Sequence, residues 1–184
     1  MNILGIIVGQ IDKILVWHLL GPTMLAIYSF ATIPIVQIQS FFKILPILAF
    51  PKIAKENNKD SLKSLPKKLI KLSLIISIIV VLYILLAPIF FKIFFPEYID
   101  SVIYSQIFSL TLIFFPARLL GSTLKIKKQK KSLYKIKMIS PIIRFIIYII
   151  ALPLYGLIGL VISMILSLSI ETLMNYYYFN KLKK

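Results

Sequence analysis

The sequence predicts an all-α, polytopic membrane protein with six transmembrane helices, and three observations carry that expectation. Hydrophobic residues make up 59% of the 184 positions and the mean hydropathy is +0.93, against about 45–50% apolar residues in an ordinary soluble domain. The excess lies in long uncharged or nearly uncharged runs: Met24 to Phe42 (19 residues), Leu72 to Phe91 (20) and Phe145 to Ile170 (26). About 20 apolar residues cross a bilayer as a helix. The lysines, in turn, cluster in the short segments between the runs. Isoleucine is plentiful, but the runs lack the period-2 alternation of barrel strands, which need about 9–11 residues each.

The elements follow in order from their punctuation. A first helix, 3–20, contains Asp12 and Lys13 and ends at "LGPT". The second, 24–50, carries Pro34 and Pro46 and ends at "FPK". The third, 69–94, ends at "FFPEYIDS". The fourth, 101–124, holds Pro116 and runs into "KIKKQKK". The fifth, 133–152, has Pro141 in its first half and stops at "LPLYG"; the sixth, 155–179, runs into a lysine tail. Glycine, proline and charge clusters of this kind end helices. Residues 1–184 therefore read as one six-helix lobe with basic loops at 51–68 and 125–137.

Charge gives the orientation. Of the 22 basic residues, 17 fall around those two loops and in the tail, whereas the intervening turns carry Glu97 and Asp100 with only Lys92 nearby. Six helices put both basic loops and both termini on one side, and the positive-inside rule makes that side the cytoplasm. The net charge of +16 raises nucleic acid as a partner. The position of the lysines beside the apolar runs points instead to anionic lipid headgroups, so no nucleic-acid partner is expected.

Several function classes lack their residues. There is no cysteine, hence no disulfide framework or thiolate metal site. The single histidine, His18, follows Trp17 at a helix end, where amphipathic rings sit at the membrane interface. No cleavable leader is read at the N-terminus. No phosphate loop, zinc-protease or nucleophile-elbow motif is present, and no loop is long enough for a catalytic domain. The expectation is a protein that is not an enzyme and holds neither metal nor cofactor.

The informative residues are the ionisable ones inside apolar segments: Asp12, Lys13, Lys43, Arg118, Arg144 and Glu171. Each costs roughly 2.5–3.5 kcal/mol at bilayer depth on insertion scales, so such residues face protein or water and mark substrate or ion pathways. Asp12 and Lys13 lie about 100° apart on a helix and do not neutralise each other. Polar residues share faces with the rest. Ser163, Ser167, Glu171 and Asn175 recur every four residues on the sixth helix, and Ser140, Arg144 and Tyr148 do so on the fifth. Tyr104, Thr111, Arg118 and Ser122 are expected on one face of the fourth, and Thr32, Gln39 and Lys43 on one face of the second. Plainer readings stand beside these. Lys43 and Arg118 suit snorkelling to the headgroups, serine stripes permit close packing, and Arg144 with Glu171 suits a structural clamp.

An ordered set of motifs resembles a known family. "QIDKILVWHLLGPTMLAIYSFA", "FPKIAK", "FFPEYIDS", "GSTLKIKKQKK" and "LPLYGLIG" resemble, in order, the C-terminal half of bacterial O-antigen and polysaccharide flippases. These form the oligosaccharide flippase family of the multidrug/oligosaccharidyl-lipid/polysaccharide exporter superfamily. The resemblance implies one six-helix lobe of a MATE-like exporter fold in the bacterial cytoplasmic (inner) membrane. It implies transport of an undecaprenyl-diphosphate-linked oligosaccharide between leaflets by alternating access, with an N-terminal six-helix lobe as partner. It offers Arg144, Arg118, Lys13 and Lys43 as cations for a diphosphate headgroup, and Asp12 and Glu171 as groups that orient them or carry a coupling ion. Family members have twelve or fourteen helices where this chain has six. The alternatives are a non-transporting membrane interaction or scaffold subunit, and a multidrug-type exporter of the same superfamily.

Overall fold

The computed structural model describes residues 3–42, 59–127 and 129–183. Lys43, the end of the second expected helix and the first part of the basic loop 51–68 lie outside them. Among the described residues every regular element is helical. The elements are α1 (Ile3–Phe42), α2 (Lys59–Phe94), a 3-10 turn at Pro96–Tyr98, α3 (Ser101–Ser109), a 3-10 segment at Leu110–Ala117, α4 (Arg118–Ile126) and α5 (Lys130–Lys183).

Four stretches are long and apolar enough to cross a membrane: Gln10–Phe42, Leu65–Phe94, Ser101–Ile126 and Lys130–Lys181. Two of them are not straight. Gly21 interrupts α1 at φ 86° and ψ 177°, and Gly156 interrupts α5 at φ 58° and ψ −146°. A residue with a Cβ rarely adopts such angles, and glycine does so at little steric cost. Contacts across each break show that the chain folds back. Tyr28 reaches Asp12, 16 residues earlier, although a straight helix would hold them about 24 Å apart. Arg144 reaches Glu171, and a straight helix would separate those by about 40 Å. Each of these helices is therefore a hairpin of two arms. Pro22 directly after Gly21 suits the start of the second arm, where the missing N–H is no loss.

Three apolar layers fill the bundle. Near the glycine turns, Val16 and Tyr28 of α1 pack with Leu152, Leu157 and Leu160 of α5. In the middle, Ile35, Ile76, Val80, Phe108, Leu112 and Val161 meet. At the far end, Leu69, Leu119, Leu120 and Phe179 join the start of α2 to α4 and to the end of α5. This last layer gathers the lysine-bearing ends of three helices. At the opposite end Phe30 stacks on Tyr98 with ring centroids 3.7 Å apart, next to Glu97 and Asp100. The charge asymmetry of the sequence is thus a difference between the two ends of one bundle. Meanwhile Ile78 and Leu85 of α2 remain 70% and 68% exposed, an outward apolar face suited to hydrocarbon.

Two prolines show how the backbone is completed without water. Pro88 cannot donate to Ile84 four residues back, and the Gln106 amide of α3 donates to that carbonyl at 2.9 Å. Pro116 sits in 3-10 geometry, where its missing N–H would have served Ile113. Ser73 of α2 donates there instead, at 3.2 Å. Side chains from neighbouring helices commonly re-satisfy carbonyls freed in this way.

Three features differ from the sequence expectation. α2 begins at Lys59, not 69, and the expected loop 125–137 shrinks to the few residues between Ile126 and Lys130. Lysine, leucine and serine sustain a helix beyond the apolar core, so charge density does not mark a helix end. The fourth expected helix is also not a continuous α-helix, since Leu110–Ala117 is overwound into 3-10 form.

Candidate functional site

The polar groups of α1 and α5 are positioned by the two hairpins. Counting along the helix axis at 1.5 Å per residue, Asp12, Tyr28 and Tyr148 lie roughly 11–14 Å from the glycine turns, about the middle of a 30 Å hydrocarbon layer. Arg144 and Ser167 lie roughly 17–18 Å away and Glu171 about 22 Å. The groups therefore form a graded series from mid-depth toward the basic end.

At the inner end, the Tyr28 hydroxyl donates a short hydrogen bond to Asp12 Oδ2 and also lies 3.7 Å from the sulfur of Met164. Tyr28 and Tyr148 are each 1% exposed. Among the described residues, Asp12 Oδ1 and the Tyr148 hydroxyl find no hydrogen-bond partner although both are buried. An acceptor and a donor are thus left open at about the same depth.

Farther along, Arg144 bridges the two arms of α5. Its Nε donates to Ser167 Oγ at 3.2 Å, and its guanidinium lies 3.6 Å from Glu171. Ser167 passes its own hydrogen to the Met164 carbonyl at 2.9 Å. Both partners of the ion pair keep 30% of their side-chain surface exposed, so the pair is wetter than a core salt bridge. Arg118 of α4 is attracted by Glu171 and repelled by Arg144. Ser163, Ser167 and Asn175 are buried and face inward with Glu171, as does Ser140 on the first arm, whose hydroxyl lies 4.0 Å from the Met174 sulfur. Asn175 donates back to the Glu171 carbonyl at 2.9 Å, steadying that turn.

Arg118 and Glu171 open into a cleft of about 610 Å³ between α4 and both arms of α5, with Lys125, Lys130 and Lys137 around it. The structure thus pairs Arg144 with Glu171, sets Glu171 and Arg118 in one cleft, and holds Asp12 against Tyr28 nearer the glycine turns. It does not bring in Lys13, which is exposed on the outer surface of α1. Lys43 falls outside the described residues. Thr111 and Arg118 do not share a face either. Seven residues of 3-10 helix at about 120° each place them roughly 120° apart, where an α-helix would have aligned them. Thr111 turns to α1 and accepts from Gln39 at 3.4 Å, whereas Arg118 turns to the cleft.

Sequence reasoning passed over Tyr28 as a functional group and Lys125, Lys130 and Lys137 as parts of a shaped site. Tyr28 lies among apolar residues, and only its reach across the Gly21 turn to a carboxylate reveals a role. Comparisons of the chain with protein-family models, with curated proteins and with solved structures found no match.

Proposed function

We propose that this chain is a six-span lobe of a membrane exporter that moves a lipid-linked oligosaccharide, a polysaccharide repeat unit on a polyprenyl diphosphate, from the cytoplasmic to the outer leaflet. The reading counts each glycine hairpin as two spans and sets the basic end in the cytoplasm. The observation that carries it is the graded series of polar groups. Ionisable groups run from mid-depth at Asp12 to a basic cleft at Arg118, built on facing helix arms inside an apolar bundle. Residues so costly to bury mark translocation paths by default. The proline-broken helices and the overwound segment add elements that suit moving parts.

Alternating access needs two bodies that rock about a site between them. One lobe supplies one body, and exposed Lys13 at roughly mid-depth is a charge that a second body would shield from lipid. The lobe therefore works with another six-helix body. The test is restoration of surface glycan in a flippase-null strain. Restoration only when an N-terminal six-helix half is co-expressed supports the reading. Restoration by residues 1–184 alone overturns the two-body claim. Failure in both settings, with the chain present in the membrane, overturns the substrate assignment.

A further inference from the structure

We infer that the outward face of the first arm of α1, centred on Lys13, docks a transmembrane helix of a second protein body, and that this helix carries a carboxylate near mid-bilayer. Gln10, Lys13, Ile14 and Trp17 are all exposed, Ile14 by 56% and Trp17 by 57%. Their spacing gathers them on a stripe about 100° wide, which is the width and rhythm of a helix-packing face. The other side of the same arm is already occupied. Leu15 and Val16 join the layer formed with α5, and Asp12 is bonded to Tyr28.

Depth makes lipid a poor cover for this stripe. Lys13 lies eight residues before Gly21, about 12 Å from the turn and so about 18 Å from the far edge of a 30 Å hydrocarbon layer. Its stem reaches about 6 Å, a zigzag of bonds of roughly 1.5 Å, so the ammonium gains neither surface. Cα–Cβ bonds also lean toward a helix N-terminus, which directs the stem away from the nearer edge.

The charges fix the chemistry of the partner. No ion pair among the described residues includes Lys13. The acids Asp12 and Glu171 are engaged on other faces, Asp12 by Tyr28 and Glu171 by Arg144 at 3.6 Å. An ammonium donates three hydrogen bonds and accepts none, and charges inside a membrane pair with one another or with backbone carbonyls. A carboxylate on the facing helix supplies both the charge and the acceptors, with the Gln10 amide one turn away as a further donor to it. A second copy of this chain does not fit. A two-fold interface sets the same patch against itself, so Lys13 would meet another basic stripe with neither acid free to cross.

This inference rests on the reading of the chain as one of two bodies and adds what the second body presents. Its test contains no glycan, so its failure and failure of the glycan assignment are separate results. The full chain, labelled with a donor fluorophore at Tyr155→Cys, is reconstituted in phosphatidylcholine vesicles with acceptor-labelled, leucine-rich transmembrane peptides. These carry Glu, Gln, Lys or Leu at their midpoint. Energy transfer is expected to show the Glu peptide binding about tenfold more tightly than the Leu peptide, the scale of a polar contact between helices in a bilayer, with the Gln peptide between them. Moving the Glu two turns from the midpoint should remove most of that advantage. Lys13→Leu should abolish the preference for Glu. Lys13→Glu should transfer it to the Lys peptide, a gain that misfolding cannot imitate. No preference for Glu over Leu, or a preference that survives in Lys13→Leu, overturns the inference. Energy transfer between differently labelled copies of the chain that Lys13→Leu abolishes assigns the face to a second copy and overturns it as well.

Discussion

Arg144 and Glu171, 27 positions apart in one continuous helical run, meet at 3.6 Å because Gly156 turns the chain back between them. The pair ties the two arms of α5 together at the level where the bundle opens into the basic cleft. Its energetics follow from its partial exposure. Breaking a buried pair costs about 3–5 kcal/mol and a surface pair contributes about 0–1, so removal of one partner here should cost about 2 kcal/mol.

The first prediction is therefore a coupling. Arg144→Ala and Glu171→Ala should each lower unfolding stability in detergent micelles, and the double variant should lose less than the sum of the two. Denaturation midpoints of the four proteins measure this. Strictly additive losses would show that the pair contributes nothing as a pair.

Tyr28→Phe removes the donor to Asp12 and leaves a buried carboxylate oxygen without that hydrogen. The expected cost is about 1.5–3 kcal/mol, the range for hydrogen bonds to charged groups. Asp12→Leu combined with Tyr28→Phe should recover part of the loss, since both polar ends are then gone. Thermal unfolding checks it; a double variant weaker than Tyr28→Phe alone would count against the pairing.

The carbonyl freed by Pro88 gives a third prediction. Gln106→Leu should cost about 1–3 kcal/mol by leaving the Ile84 carbonyl unpaired. In a Pro88→Ala background the new N–H of residue 88 serves that carbonyl, and the same substitution should cost much less. Equal costs in both backgrounds would reject the role assigned to Gln106.

Topology is the fourth. The chain has no cysteine, so single cysteines at Tyr98, Tyr155 and Gln129 report without background. In intact cells an impermeant thiol reagent should label positions 98 and 155 and leave 129 unlabelled. Labelling at 129 would invert or break the six-span arrangement.

Much of this architecture was legible because its causes are local. "LGP" and "LPLYG" contain the two glycines that reverse the chain, and the lysine clusters mark one end of the bundle. The meeting of Arg144 with Glu171 follows from shared depth and from polar stripes at helical spacing. Other features depend on neighbours. Tyr28 acquires a role only when the turn brings it to Asp12, and Gln106 only beside Pro88 of another helix. The basic stretch from Lys59 resembles a loop by charge, although its residues sustain a helix. Nothing local except Pro116 hints at the overwound segment, so Thr111 and Arg118 were expected on a face they do not share.

That overwound segment has a mechanical meaning. Each 3-10 residue turns about 120° and rises about 2.0 Å, against 100° and 1.5 Å in an α-helix. Over the eight residues Leu110–Ala117 the difference amounts to roughly 160° of rotation and 4 Å of length. The segment is a screw thread cut at a different pitch from the rods on either side. Relaxing it to the α pitch would spin α4 by nearly half a turn while drawing it 4 Å toward α3. Arg118 would swing away from Glu171 and out of the cleft, and Leu119 and Leu120 would leave the layer they share with Leu69 and Phe179.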